Sequence, residues 1–139
     1  MTLLDAYALI AYFKDEPAAA QVESLLADGD CAITSVNLAE VIDVLVRMVG
    51  LEFADVVAAV SQLGLAHVEI RAEAGIRAGR MRSIHYRKRT CEVSLGDCVL
   101  AAVCGDADRI ATSDPALASV LRAESLGLIP LPDSSGALP

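Results

Sequence analysis

The sequence predicts a single α/β domain around a mainly parallel central sheet flanked by helices. Three observations carry this. Short apolar runs such as TLLD, CAIT, RIAT and LIPL show no polar alternation, as expected of strands buried on both faces. Longer segments with helical periodicity separate them, so strands and helices alternate along the chain. A length of 139 residues supports one core and is too short for two comfortable ones.

Taken in order, residues 2–5 read as a strand and Ala6 to Phe13 as a helix. Pro17 suits the start of a second helix, which ends near Gly29. CAIT (31–34) is the next strand, and NLAEVIDVLVRMVG (37–50) a mostly buried helix with Asn37, Glu40, Asp43 and Arg47 on its one polar stripe. Phe53 to Gly64 reads as a helix, 65–70 as a strand, and the arginine-rich 71–86 as a long amphipathic helix before a loop at 87–93. DCVLAAVCG (97–105) is apolar nearly all round and predicts a central buried helix entered at Asp97. RIAT (109–112), PALASVLRAESLG (115–127) and LIPL (128–131) complete the pattern as strand, helix and strand. The domain therefore spans 1–131, with 132–139 as a loose tail.

The hydrophobic fraction is 55% and the mean hydropathy +0.50, yet uncharged stretches such as residues 56–68 fall short of the about 18 apolar residues that a membrane span needs. The N-terminus runs straight into a strand-like segment with no basic leader, so a cytoplasmic location is expected. Cys31, Cys91, Cys98 and Cys104 form no CxxC pair, and His67 and His85 complete no zinc pattern; reduced thiols are expected. A net charge of −8 argues against a nonspecific nucleic-acid coat. The mean conceals an asymmetry, because Arg71, Arg77, Arg80, Arg82, Arg87, Lys88 and Arg89 hold seven of the eleven basic residues. Such a stripe can be a solvated helix face or a guide for a polyanion.

Four carboxylates stand where strands give way to helices. Asp5 closes the first strand, Glu40 lies early in the helix after the second, Asp97 enters the buried helix, and Asp114 follows RIAT by two residues. Each has a local reading as a helix cap: Asp5 and Asp114 at N-cap positions, Glu40 three residues after Asn37, and Asp97 three after Ser94. Their shared location points further. Strand ends that feed helices lie along one edge of a parallel sheet, where ligands bind at the topological switch point. Clustered carboxylates repel one another unless a cation compensates. All-oxygen ligands select a hard ion, Mg²⁺ or Mn²⁺, and such ions bind phosphates and activate water for phosphate-ester hydrolysis.

The order LLDAYALIAYF, TSVNLAEVIDVL, SLGDCVLAA and IATSDPAL resembles a PIN domain, and specifically a VapC-type ribonuclease toxin of a bacterial toxin–antitoxin pair. The similarity runs over residues 1–131 and rests on four elements in order rather than on any one motif. Residue by residue, it implies that Asp5, Glu40, Asp97 and Asp114 form an acidic metal site, with the Thr112 hydroxyl supporting it. It further implies a PIN-like fold and a homodimer. The activity implied is Mg²⁺- or Mn²⁺-dependent cleavage of RNA, leaving a 5′-phosphate, and the partner implied is a small VapB-type antitoxin that covers the groove.

Two departures stand out. Ala6 and Tyr7 follow Asp5 where many members have Ser or Thr, and Pro115 and Ala116 follow Asp114 where many have another charge. Asp43, one turn from Glu40, could compensate or could be a solvated surface acid. Against the family background the basic stripe becomes a candidate RNA-holding surface, with Arg80, Arg82, Arg87, Lys88 and Arg89 as contacts and Tyr86 as a stacking partner. Two other classes fit acids at strand ends: a metal-dependent phosphatase or phospho-acceptor domain, and a noncatalytic binding module in which the acids are only caps. No DxD follows the first strand, which counts against the first.

Overall fold

Period-two alternation decides where each strand residue goes. In the computed structural model, which describes residues 1–139, the order is β1 (Thr2–Leu4), α1 (Ala6–Phe13), α2 (Ala19–Ala27), β2 (Cys31–Thr34), α3 (Ser35–Asp43), α4 (Phe53–Gln62), β3 (Ala66–Val68), α5 (Ala72–His85), α6 (Leu95–Val103), β4 (Arg109–Thr112), α7 (Pro115–Ala123) and β5 (Gly127–Pro130). Leu4, Ile33 and Ala111 point into one layer, where they pack with Leu9, Val22, Val41, Leu45 and Val56 from α1 to α4 and the turn after α3. Leu3, Ala32 and Ile110 point into the other, against Met81, Cys98, Leu100, Leu117 and Leu121 from α5 to α7. The apolar strands lacked alternation because both their faces are covered.

All strand pairs are parallel, in the order β3-β2-β1-β4-β5. From β1 the chain steps outward through β2 to β3, then returns to β4 on the opposite side. The direction of winding therefore reverses between β1 and β4, and the crevice beyond their C-terminal ends is the switch point. Leu4 pairs with Ala111 there, so Asp5 and Thr112 emerge side by side.

The predicted bounds hold for α1, β2 and β4, and several others differ for identifiable reasons. Pro17 lies in the turn ahead of α2, whose Ala19 N–H donates to Glu16 O at 2.8 Å. Asn37 does not start α3. β2 runs into the helix without a loop, and Thr34 caps it by accepting the Asn37 N–H at 3.1 Å. After Asp43 the helix widens into a π-helical turn, Val44–Met48. Nor is that helix mostly buried, since Met48 is 67% exposed, and Val36, Val49, Leu51 and Phe53 also remain open. The strand expected at 65–70 shortens to Ala66–Val68, an edge strand with one neighbour. Residues 132–139 turn around Asp133, whose Oδ1 accepts from Ser135 N, Ser135 Oγ and Ala137 N.

β5 lies so close to β4 that a Cβ on Gly127 would stand 2.4 Å from Asp108 O and 2.7 Å from Arg109 Cγ. Urea unfolding should show Gly127→Ala destabilised by about 1–3 kcal/mol through overpacking against backbone. Gly75→Ala on α5, where a Cβ meets nothing within 4 Å, should gain about 0.5–1 kcal/mol from helix propensity.

Candidate active site

The four carboxylates and Ser94 line one open cleft of ≈ 480 Å³ at the switch point, with Tyr7, Ile10, Ser113, Pro115 and Asp133 completing its wall. Asp5 arrives from the end of β1, Asp114 from the end of β4, Glu40 from the middle of α3 and Asp97 from the first turn of α6. Ser113 and Asp133 were not legible as members. Ser113 sits between two motif residues without a spacing of its own, and Asp133 reaches the cleft from beyond the last strand.

Each acid is held differently. Asp5 occupies an N-cap position, but its side chain makes no capping bond to α1. Its Oδ2 instead accepts the Thr112 hydroxyl at 2.6 Å, a contact between residues 107 apart in sequence. The same Thr112 Oγ1 accepts the Asp114 N–H at 3.0 Å, so one hydroxyl ties two of the acids together. Asp97 forms the expected capping box: Ser94 N donates to its Oδ2 at 2.9 Å, and its own N–H donates to Ser94 Oγ at 3.0 Å. Asp114 caps α7 through Oδ1, which accepts from Ala116 N at 2.6 Å and Leu117 N at 3.2 Å. Glu40 takes no part in a capping box, because Thr34 has displaced Asn37 from the cap. In Asp97 and Asp114 one carboxylate oxygen does the structural work and leaves the other without a protein hydrogen bond, while the Asp5 carboxyl also feels the Tyr7 N–H beside the Thr112 hydroxyl.

The electrostatics are those of an uncompensated anion cluster. Burial raises Asp5 from the usual carboxylate range to about 7; the Thr112 hydroxyl opposes the shift, while Asp97 and Glu40 add to it. Burial also raises Asp97 against the Ser94 hydrogen bonds, with Asp114 adding to the rise. Glu40 rises through desolvation first, then through Asp97 and Asp43. Asp43 itself stands outside the cleft, exposed, with Arg47 Nε at 2.8 Å and Nη2 at 2.6 Å holding its carboxyl below the usual range.

No three His, Cys, Asp or Glu side chains stand close enough to share one metal ion. The donor chemistry still fits a hard divalent cation of the Mg²⁺ kind, which keeps several waters and takes one or two carboxylates directly. One or two of Asp5, Glu40, Asp97 and Asp114 would hold it directly and the others through its waters.

The basic residues do not form one stripe. Gly79, Arg82, Ser83 and Tyr86 share one flank of α5 and face Leu95, whereas Arg77, Arg80 and Ile84 share the other and face Glu124. Ala78 and Met81 are the buried seam between the two sets. Arg87, Lys88 and Arg89 are exposed on a small turn closed by the Arg87–Cys91 bridge.

A parallel α/β fold with an acidic cleft at its switch point defines the class. The PIN domain family matches residues 2–122, and the chain belongs to that family. Its fold is similar to the crystal structure of VapBC2 from Rickettsia felis bound to a DNA fragment from their promoter, with TM-score 0.66 and 16% identity, covering 92% of this chain and 96% of the other. It is also similar to FitAcB from Neisseria gonorrhoeae, with TM-score 0.65 and 16% identity over 93% of this chain and 96% of that one. Among curated proteins none matches. No helix is long and apolar enough to cross a membrane.

The raised Asp5 has a measurable consequence for stability. Unfolded, it ionises near 3.8; folded, near 7. Between those values the native state binds more protons than the unfolded one, so stability is greatest below the lower value and falls as pH rises through the upper. Asn keeps the shape and the Thr112 hydrogen bond but carries no charge. In EDTA at about pH 8, Asp5→Asn should therefore be the more stable protein by about 2–4 kcal/mol, and the gap should narrow on acidification to about pH 5. Urea unfolding of both proteins at the two pH values checks this.

Proposed function

We propose that this protein is a Mg²⁺- or Mn²⁺-dependent endoribonuclease toxin of the VapC type, acting in the cytoplasm and neutralised by a cognate VapB-type antitoxin. The observation that carries the reading is the convergence of Asp5, Glu40, Asp97 and Asp114 on one cleft with no lysine or arginine in its lining. Topology alone gathers helix caps at this edge, but the Asp5 and Glu40 side chains cap nothing, and the mutual repulsion of four acids opposes their clustering. Membership of the PIN domain family supports the same reading.

A divalent ion held by these carboxylates would supply a water of lowered pKa and a positive charge for the phosphate. The chain's own residues prepare for it. Thr112 fixes the orientation of Asp5 by donating to its Oδ2. The capping bonds of Asp97 and Asp114 lock both side chains to helix N-termini, whose partial positive charge favours ionised carboxylates. Attack of water at phosphorus in line with the departing 3′-oxygen leaves a 5′-phosphate. The antitoxin half of the proposal rests on the resemblance to VapC-type toxins and on the fold shared with VapBC2 and FitAcB. The open apolar residues Met48, Val49, Leu51 and Phe53 offer a surface for that partner or for the second copy of a homodimer.

The test is direct. Protein freed of antitoxin should cleave RNA with Mg²⁺ or Mn²⁺ and not with EDTA, and Asp5→Asn and Asp97→Asn should fall to background while keeping the native circular dichroism spectrum. Absence of cleavage with every metal, or undiminished cleavage by both variants, would sink the proposal.

A further inference from the structure

Beside the acidic cleft lies a second one of different character. Gly79, Arg82, Ser83, Tyr86 and Leu95 line a shallow, open groove of ≈ 380 Å³. The two are near neighbours on the chain, because Ser94 lines the acidic cleft and the next residue, Leu95, lines this one. The Arg82 guanidinium lies 4.6 Å from the centre of the Tyr86 ring, and its Nε donates to Val93 O at 3.3 Å. The stacked pair is thus fixed from two sides. Arg82 forms no ion pair, so its remaining N–H groups are open to an anion.

We infer that this cleft is the subsite for a nucleotide flanking the cleaved bond in single-stranded RNA, its base stacked on the Arg82–Tyr86 pair and its phosphate facing the guanidinium. The inference rests on the nuclease reading for the position of the cleaved bond. Its chemistry rests on the cleft. An aromatic ring, a planar cation and the exposed apolar side chain of Leu95, 57% accessible, suit a flat base with a charged edge. Duplex RNA keeps its bases stacked on one another, whereas a single strand can splay one onto a protein surface. Ser83 could meet that base only as an acceptor, since its hydroxyl already donates to Arg80 O at 2.7 Å. The opposite flank of α5 fits this ligand poorly: its cleft is ≈ 130 Å³ and includes the Glu124 carboxylate, which repels phosphate. Arg82, and not Arg77, is therefore the cation on the substrate path.

Gly79 permits a test that leaves the pair intact. A Cβ at that position meets nothing within 4 Å, so Gly79→Leu fills the cleft from the floor of a helix that tolerates leucine well. Binding of a fluorescein-labelled single-stranded RNA oligonucleotide would be followed by anisotropy in EDTA, and KM and kcat would be measured with Mn²⁺. Tyr86→Leu and Gly79→Leu should each weaken binding and raise KM about tenfold with little change in kcat. Tyr86→Phe should restore native binding, and Arg77→Ala, which removes equal charge on the far flank, should leave it within about twofold. Native binding by both Tyr86→Leu and Gly79→Leu would overturn the subsite, as would equal loss in Arg77→Ala. Failure of the nuclease reading looks different: native protein binds RNA in EDTA but cleaves it with no metal, and the anisotropy series still decides whether this cleft holds the strand.

Discussion

The Thr112 hydroxyl has one proton, and the fold leaves it one destination. Its oxygen already accepts the Asp114 N–H, so the proton points to Asp5 Oδ2 at 2.6 Å. This hydrogen bond spans the seam between β1 and β4, where the winding of the sheet reverses, and joins the starts of α1 and α7 across it. A fully buried carboxylate without such a partner costs several kcal/mol. Much of the cost remains even with it, as the rise of Asp5 to about 7 records. The cleft is therefore shaped by a bond that positions the Asp5 carboxyl without neutralising its charge.

The rest of the charge distribution follows from that constraint. An acidic cleft on a protein of net charge −8 repels RNA, and an ion among the carboxylates offsets the repulsion only at one phosphate. Affinity for the rest of a strand must come from neighbouring surface. On the proposed reading the basic residues between 71 and 89 would provide it, but α5 divides them. The flank with Arg82 and Tyr86 faces Leu95 at the start of α6, and the flank with Arg77 and Arg80 faces Glu124 at the end of α7, where His85 pairs with it at 2.6 Å. Sequence proximity made them one stripe; the helical repeat makes them two.

The parts legible in the sequence were those written in local patterns. β2 and β4 coincide with CAIT and RIAT because short apolar runs between helical segments have few alternatives. The Ser94–Asp97 box and the Asp114 cap at Pro115 were readable from spacing alone. Contacts that depend on topology were not. Asp5 and Thr112 are neighbours only because β1 and β4 pair, and a local cap was the natural reading of Asp5 until that pairing was known. Asn37 looked like a cap residue because Thr34 was assigned wholly to the strand, whereas it ends β2 and caps α3 at once. The apolar outer surface of the turn after α3 misled in the same way, since its pattern matches burial and the fold leaves it open.

The most direct measurement is a ¹³C NMR titration of the Asp5 carboxyl in metal-free protein and again with saturating Mg²⁺. The account requires a midpoint near 7 without metal, set by burial against the Thr112 hydrogen bond, and a marked fall when the ion binds. A midpoint in the ordinary carboxylate range, or one that Mg²⁺ does not move, would contradict it.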